Sequence, residues 1–283
     1  MKCMDTEGTL YLCATPIGNL SDMTFHVLDT LKEVDIIAAE DTRNSIKLLN
    51  HFEIKTPMTS YHEFNKYDKA VDLIRQIHEG KNVALITDAG TPAISDPGEV
   101  LVDMCLKEGI RVTSLPGPCA CITALTMSGM HSRRFCFEGF LPSDKKERNA
   151  VLEQLKGERR TIIIYEAPHH LKATLTLLNE TLGDREIAIC KELTKKHEKC
   201  IRMRLPEACS YYEENEPKGE YVLVIEGRSE EEIKLTEQRK WEAMSLEDHM
   251  AIYEAWGYDK KECMKRVAAD RGLSKRDVYN QLL

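Results

Sequence analysis

Leu85-Ile86-Thr87-Asp88-Ala89-Gly90-Thr91-Pro92-Ala93-Ile94-Ser95-Asp96-Pro97-Gly98 is the stretch whose reading decides the fold. The apolar run that enters it, residues 83–86, reads as a short buried strand and stops in Gly, Pro, Thr, Ser and Asp. Apolar residues at helical spacing (Val100, Leu101, Met104, Cys105) resume only after Pro97. Strand, elaborate loop, helix is the unit of an open α/β sheet, whose strand-terminal loops form the ligand-binding edge. Taken alone, the stretch is equally well accounted for as a long structural connection.

The neighbours repeat the unit. Toward the N-terminus, strands are expected over residues 9–14, 34–39 and 58–61, and toward the C-terminus over 110–115. Helices fill the gaps: one from a Thr24 N-cap through Leu31, one from about Arg43 to Asn50, and the amphipathic run from Tyr67 to His78. This alternation predicts βαβ units and a mostly parallel sheet in an N-terminal α/β lobe, residues 1–116. Pro116-Gly117-Pro118 is a hard break, and residues 117–228 read as a second α/β lobe. A helix of small residues over 119–128 opens it. Strands follow near 135–137, 161–165, 186–190, 199–205 and 221–226, with helices near 145–155, 170–181 and 206–214. Two successive strands around 186–205 imply antiparallel pairing, hence a mixed sheet. From residue 229 to 283 the expectation is an acidic linker, Ser229-Glu230-Glu231-Glu232, and a small all-helical domain. Within it a helix to Asp270, the turn Arg271-Gly272-Leu273, and Ser274 as an N-cap with Asp277 three residues on form a helix-turn-helix-like pair. Lys275 and Arg276 open the second helix, where nucleic-acid contacts are expected; the same pair also suits protein contacts or a domain cap.

Bulk properties exclude several classes. The chain has 283 residues, 42% of them hydrophobic and 30% charged, enough for substantial cores. No apolar run approaches a membrane span, and Met1-Lys2-Cys3-Met4-Asp5-Thr6-Glu7 lacks a signal core, so a cytoplasmic location without secretion is expected. Ten cysteines without a CxxC or a His cluster read as reduced thiols, with no metal site. A net charge of −8 argues against a chain coated in nucleic-acid-binding charge. The charge is uneven: residues 190–204 hold six Lys/Arg against two Glu, and residues 133–160 eight against five, while 229–254 hold three against eight acidic groups. A local basic face can therefore still track phosphates.

The loops narrow the ligand. No GxxxxGK[ST] and no GxGxxG follows a strand, so neither a polyphosphate cradle nor a dinucleotide turn is present. Asp88 and Asp96 repel phosphate but suit a cation or a ribose hydroxyl. Ile17, Ala93, Ile94 and Pro118 make a flat apolar wall for a purine. S-adenosylmethionine, with sulfonium, amino acid head and adenosine, fits that description.

Eight motifs in order then carry a resemblance. They are Leu10-Tyr11-Leu12 with Thr15-Pro16-Ile17-Gly18-Asn19-Leu20; Ala39-Glu40-Asp41-Thr42-Arg43; Tyr61-His62-Glu63-Phe64-Asn65; the opening stretch from Thr87; Leu115-Pro116-Gly117-Pro118; Tyr165-Glu166-Ala167-Pro168-His169; Lys191-Glu192-Leu193-Thr194-Lys195-Lys196-His197-Glu198; and Gly219-Glu220-Tyr221-Val222-Leu223-Val224. Together they resemble the ribosomal small-subunit RNA 2′-O-ribose methyltransferase I family, among the tetrapyrrole-methylase-like methyltransferases. The likeness runs nearly continuously over residues 9–227, and the tail resembles that family's helical domain. Phe64 stands where a His is common, and Cys119 and Cys121 replace small residues, often Ser.

The resemblance implies a two-lobed α/β homodimer binding S-adenosylmethionine between its lobes. It implies 2′-O-methylation of a cytidine in the decoding region of 16S rRNA, free or in the assembled 30S subunit, with no membrane or DNA partner. Carried over loop by loop, Ile17, Gly18, Asp88, Thr91, Cys119, Ala120 and Tyr165 border the cofactor. Glu40, Asp41, Arg43, Lys191 and Glu192 are the catalytic candidates, and His62, Glu63, Asn65 and His197 the substrate-binding ones. For Asp41 and Arg43 a helix cap with an ion pair is the competing reading, and for Lys191 and Glu192 a structural pair. Two other functions remain: a tetrapyrrole C-methyltransferase, whose relatives usually carry a GxGPG first loop absent here, and a non-catalytic protein binding the cofactor and RNA.

Overall fold

The structure, a computed structural model, describes residues 7–282, with the side chains of Thr236 and Glu237 excepted. Residues 1–6, on which the expectation of no secretion signal rests, lie outside the described residues.

Five strands, β1 (Thr9–Cys13), β2 (Ile36–Ala39), β3 (Met58–Ser60), β4 (Val83–Ile86) and β5 (Arg111–Leu115), form one sheet in the order β3-β2-β4-β1-β5. Every pairing in it is parallel. All four residues of β4 are buried, because both faces of a parallel sheet are covered by crossover helices. Val83 and Leu85 pack with Leu73 of α3 (Lys66–His78) and Leu101 of α4 (Gly98–Lys107). Ala84 and Ile86 point the other way, to Val27 and Leu31 of α1 (Phe25–Glu33) and Leu49 of α2 (Thr42–His51). The entry to α1 is the expected one, the Thr24 side chain accepting from the Val27 N–H at 3.2 Å.

After β5, α5 (Ala120–Ser128) leads to a second five-stranded sheet: β6 (Phe135–Phe140), β7 (Thr161–Glu166), β8 (Glu186–Lys191), β9 (Lys199–Arg204) and β10 (Tyr221–Ile225), in the order β6-β7-β10-β8-β9. β6 and β7 run parallel; the other pairs, including β8 with β9, are antiparallel. One face carries Ile162, Ile164, Ile187 and Leu223 against α6 (Lys145–Lys156), α7 (Leu171–Leu182) and α8 (Leu205–Glu214). The other face, with Ile163, Ala188, Val222 and Val224, is covered by Cys121, Ala124 and Leu125 of α5 and by Ile17 from the loop after β1. A residue of the first lobe thus completes the core of the second. Both sheets belong to one compact unit that ends at Glu226.

Residues from Gly227 form a separate helical unit: α9 (Glu230–Glu242), α10 (Leu246–Ala255), α11 (Lys260–Arg271) and α12 (Lys275–Gln281). The expected linker at residues 229–232 is instead the start of α9. Ser229 accepts from the Glu232 N–H, and the Glu232 carboxylate accepts from the Ser229 N–H. Three glutamates in a first turn face the positive end of the helix dipole, which offsets their mutual repulsion. The helix-turn-helix-like pair is as expected: Gly272 closes α11 in the left-handed region at φ 65°, and Ser274 and Asp277 box the start of α12. Among the described residues, no helix is long and apolar enough to cross a membrane.

Candidate functional site

The crossovers leave the adjacent strands β1 and β4 in opposite directions, β1 toward β2 and β4 toward β5. Such a reversal opens a crevice at the carboxyl ends of the two strands, where ligands of open α/β sheets bind. Here the two loops are tied together at the crevice: Thr15 and Gly90 exchange both backbone hydrogen bonds, at 2.9 and 3.1 Å. The buried Thr15 hydroxyl also donates to the Thr87 carbonyl at 3.0 Å.

A cavity of about 520 Å³ lies there, within the usual range of small-molecule sites. The first lobe supplies Ile17, Glu40 and residues 87–91 and 94–96, and the start of α5 supplies Cys119 and Ala120. The second supplies Phe140, residues 165–168, Leu193 and residues 220–222. β10 runs antiparallel between β7 and β8, so its first residue pairs with the last residues of both, Glu166 and Lys191. The second sheet therefore brings three chain segments to one edge.

The loops that line the cavity are conformationally committed. Ala93, Ser95, Glu192 and Thr194 all adopt left-handed backbone conformations, with φ of 65°, 64°, 50° and 63°. Non-glycine residues there cost on the order of 1–3 kcal/mol each and persist where the surroundings over-determine them. Asp96 does so for the first loop, its Oδ1 accepting from the Ala93 N–H at 3.0 Å and the Gly98 N–H at 2.7 Å. Thr91 donates to the Pro118 carbonyl at 2.9 Å and joins this loop to the one after β5.

Charge is one-signed. Five carboxylates line the cavity, Glu40, Asp88, Asp96, Glu166 and Glu220, and no Lys, Arg or His is among the lining residues. Glu40 accepts from the Thr87 hydroxyl at 2.6 Å, and Asp88 Oδ1 from the Asp41 N–H at 3.2 Å. Desolvation, reinforced by Glu40, raises the Asp88 carboxyl above the ordinary carboxylate value. Desolvation also raises Asp96, whose Oδ2 is buried without a partner. Glu166 is buried and held by the Thr174 hydroxyl and the Ala167 N–H. The walls are apolar or aromatic; Tyr165 stands edge-on to Phe137 and Phe140, and its hydroxyl accepts from the Cys121 N–H at 3.1 Å. Such a set rejects phosphates and suits a ligand with cationic groups and an apolar body. Among the described residues, no cluster of three or more His, Cys, Asp or Glu is placed to hold a metal ion.

Of the residues singled out from the sequence, Ile17, Glu40, Asp88, Thr91, Cys119, Ala120 and Tyr165 come together in this cavity. Gly18 lies outside it, in an open depression shared with Asn19, Leu20 and residues 194–196. Asp41 and Arg43 are also outside the lining. Asp41 N-caps α2 and takes three hydrogen bonds from Arg43, which hold its carboxyl down to about 2. Lys191 sits at the end of β8 with its ammonium 5.9 Å from the centre of the Tyr221 ring. Glu192 is tied to Lys195 and to the Glu220 N–H, at 2.9 and 3.0 Å. Burial works to raise its carboxyl, and these bonds outweigh it, leaving the group lower than usual. His62, Glu63 and Asn65 form a separate turn after β3: Asn65 Oδ1 accepts from the His62 N–H and Glu63 pairs with Lys66. His197 is exposed in the β8–β9 connection.

Among the lining groups, Asp96 and Glu166 carry only a general polar expectation from the sequence, and Phe140, Leu193 and Glu220 carry none. Glu166 and Glu220 sit inside quoted motifs, so their positions were visible; Phe140 follows a bulge in β6 between Phe137 and Gly139 and carried no signal.

Comparison with known proteins agrees with this geometry. The family pattern of Tetrapyrrole (Corrin/Porphyrin) Methylases matches residues 9–209. The chain is 50% identical over 276 residues to the "Ribosomal RNA small subunit methyltransferase I" of Halalkalibacterium halodurans, covering 98% of this chain and 95% of that one. It is 48% identical to the protein of the same name from Bacillus subtilis, covering 96% and 93%. Among solved structures it resembles diphthine synthase (TM-score 0.63, 13% identity, 78% of this chain and 91% of that one). It also resembles uroporphyrin-III C-methyltransferase from Thermus thermophilus, solved in complex with S-adenyl homocysteine (TM-score 0.55, 17% identity, 77% and 97%). The two solved structures share the fold, while the sequence relatives align along almost the whole chain: it belongs to the ribosomal RNA small subunit methyltransferase I family, within the tetrapyrrole methylase fold.

Proposed function

We propose that the chain is an S-adenosylmethionine-dependent rRNA methyltransferase that methylates the 2′-oxygen of a cytidine in the decoding region of small-subunit rRNA. The observation that carries the reading is the cavity at the β1/β4 crevice, ringed by five carboxylates and no cation, in a chain of this family. Ile17, Thr91, Cys119, Ala120 and Tyr165 form walls for the adenosine and thioether body, and Asp88 serves the ribose or amino acid end. The donor, when bound, supplies an activated methyl group on a sulfonium that leaves as a neutral thioether.

The chain's own part is to orient the nucleophile, exclude water and take a proton. Fixing hydroxyl and methyl in line provides most of the rate gain, and a general base adds about 10²–10⁴-fold. Desolvation raises both Asp88 and Asp96; with Asp88 engaged by the donor, Asp96, whose Oδ2 has no partner, is the candidate base. Glu40, oriented by the Thr87 hydroxyl, is the second candidate base. Lys191 offers a positive charge at the cavity edge for the developing alkoxide, Glu192 holds Lys195 in the adjoining loop, and Asp41 with Arg43 fixes the Glu40 turn. His62, Glu63, Asn65 and His197 contact the RNA. Lys196 in the β8–β9 connection and Lys199 at the start of β9 form no ion pair among the described residues and leave positive charge there for phosphates. The enzyme works in the cytoplasm as a homodimer on rRNA or the assembled small subunit.

The test is to incubate the purified chain with small subunits from a strain lacking this methylation and labelled S-adenosylmethionine, then map the label. Label on the ribose of a decoding-region cytidine is the expected result. Transfer to a porphyrinoid with none to RNA overturns the reading.

A further inference from the structure

Cys119 stands where the cavity, a helix start and a second thiol meet. It is the N-cap of α5 and lines the cavity, so a small molecule that enters can reach it. Its Sγ lies 3.3 Å from the Sγ of Cys121, whose side chain is buried against the inner face of the second sheet. The other close pair, Cys190 and Cys200, faces across β8 and β9 at 3.2 Å, with Cys190 fully buried and neither residue lining the cavity. Among the described cysteines none is disulfide-bonded.

The two thiols of the first pair are chemically unequal. The Cys121 thiol donates to Cys119, and the backbone N–H groups of Ile122 and Cys121 at the start of α5 add to this, holding Cys119 below an ordinary thiol. The same bond, with burial, pushes Cys121 up, so it keeps its proton. One sulfur is a nucleophile open to the cavity; the other is a protonated reserve in contact with it.

We propose that Cys119 is a modification site in the cavity wall, a thiolate that reacts with hydroperoxides and small electrophiles, with Cys121 as its resolving partner, and that the resulting disulfide closes the cavity to the methyl donor. In the first step the Cys119 sulfur attacks the outer oxygen of the hydroperoxide. The O–O bond breaks, and the alkoxide leaves as the alcohol after taking a proton from water. In the second, the Cys121 sulfur attacks the Cys119 sulfenic sulfur, the S–O bond breaks, and hydroxide leaves as water with the Cys121 proton. Each sulfur loses one electron and the peroxide gains two. Drawing the sulfurs from 3.3 Å into a bond moves the first turn of α5, and with it the Cys121 N–H that holds the Tyr165 hydroxyl. Two walls of the cavity shift together.

The effect on the donor rests on the reading of the cavity given above; the oxidation itself does not. The full chain is first reduced and titrated with S-adenosylmethionine by calorimetry. Absence of binding at that stage sinks the donor reading, and with it the closure, while the thiol map still decides the modification. The chain is then treated with a few equivalents of hydrogen peroxide, digested and mapped by mass spectrometry. The expected product is a Cys119–Cys121 disulfide, two hydrogens lighter, formed before any Cys190–Cys200 link. Donor affinity should fall tenfold or more, return with dithiothreitol, and be protected by prior saturation with donor. In Cys121→Ser, dimedone should trap a sulfenic acid on Cys119. Oxidation elsewhere with Cys119 intact, or a disulfide that leaves donor affinity unchanged, overturns the proposal.

Discussion

At the scale of single residues, the cavity separates groups that hold a ligand from groups that act on it. Asp88 lines it with a carboxylate that accepts from the Asp41 N–H and is further held by the Asn44 side chain. Asp88→Asn removes its charge and keeps its shape, and we expect donor affinity to fall about tenfold, corresponding to the loss of ~1.5 kcal/mol for one charge-assisted contact. Calorimetric titration reads this directly; an unchanged affinity removes Asp88 from the donor site. The same carboxyl titrates above the ordinary carboxylate value. Its attraction for a cation is complete above its raised pKa and fades as pH falls through it, so wild-type affinity should weaken on acidification earlier than a free carboxylate predicts. In Asp88→Asn that portion of the pH dependence should be gone. Lys191 gives the complementary case. It stands over Tyr221 at the cavity edge rather than in the lining, so Lys191→Ala should leave donor affinity within twofold and slow single-turnover methyl transfer by about 10–10²-fold, within the range of one positioned electrostatic group. A variant that binds donor poorly but turns over at the wild-type rate refutes that assignment.

Elements explain why the fold was legible in the sequence and the site only partly so. β4 is buried on both faces and reads as an unbroken apolar run ending in loop residues, and its neighbours repeat the signal at regular spacing. At residues 229–232 a solvated acidic linker and a capped helix start share one composition, and the Ser229–Glu232 reciprocity is what distinguishes them. In the site, the half contributed by β1, β2 and β4 follows from where the strands end. The half contributed by Phe140, Leu193 and Glu220 depends on β10 lying between β7 and β8, a pairing between segments far apart in sequence that no local pattern encodes. Loop packing provides its own test. A Cβ on Gly117 would lie 2.5 Å from the Ala14 Cβ, so the loops after β1 and β5 approach as closely as a missing side chain allows. Gly117→Ala must push them apart where they flank the cavity. Denaturant unfolding should show a loss of about 1–3 kcal/mol, the usual cost of overpacking, together with weaker donor binding. Full stability would mean that this contact does not constrain the loops.

The whole molecule consists of two compact units, one holding both sheets and one holding α9 to α12, and their cores have different chemistry. The first is mainly aliphatic, Ile, Leu and Val with a few tyrosines. The second is built around His249, whose side chain is fully buried. Its ring stacks on Trp241 at 4.0 Å and 6°, with Tyr253 on the other contact. The Arg271 Nε–H donates to Nδ1 at 3.2 Å, which assigns the ring proton to Nε2, facing Asp270 at 3.2 Å. Arg271 also donates to the carbonyls of Met244 and Ser245, and Tyr253 donates to Asp270. This network accepts a neutral ring. Desolvation is the main reason the pKa of His249 is lowered from 6.5, and Asp270 pulls the other way without prevailing over it and Arg271. The unfolded chain therefore binds a proton at a higher pH than the folded one does, and stability rises with pH through that window. The contribution is complete above the unfolded value of about 6.5 and is lost progressively as pH falls below it. Hydrogen exchange, corrected for its intrinsic pH dependence, should show the amides of α10 and α11 losing protection between about pH 7 and pH 5.5, while those of β4 and β10 do not. His249→Gln should flatten this dependence even though it lowers protection overall, because the titrating group is gone. Equal loss in the sheets and the helices of the wild type would show that acid acts on the chain as a whole, and the buried histidine would not be the pH-sensitive element of the helical unit.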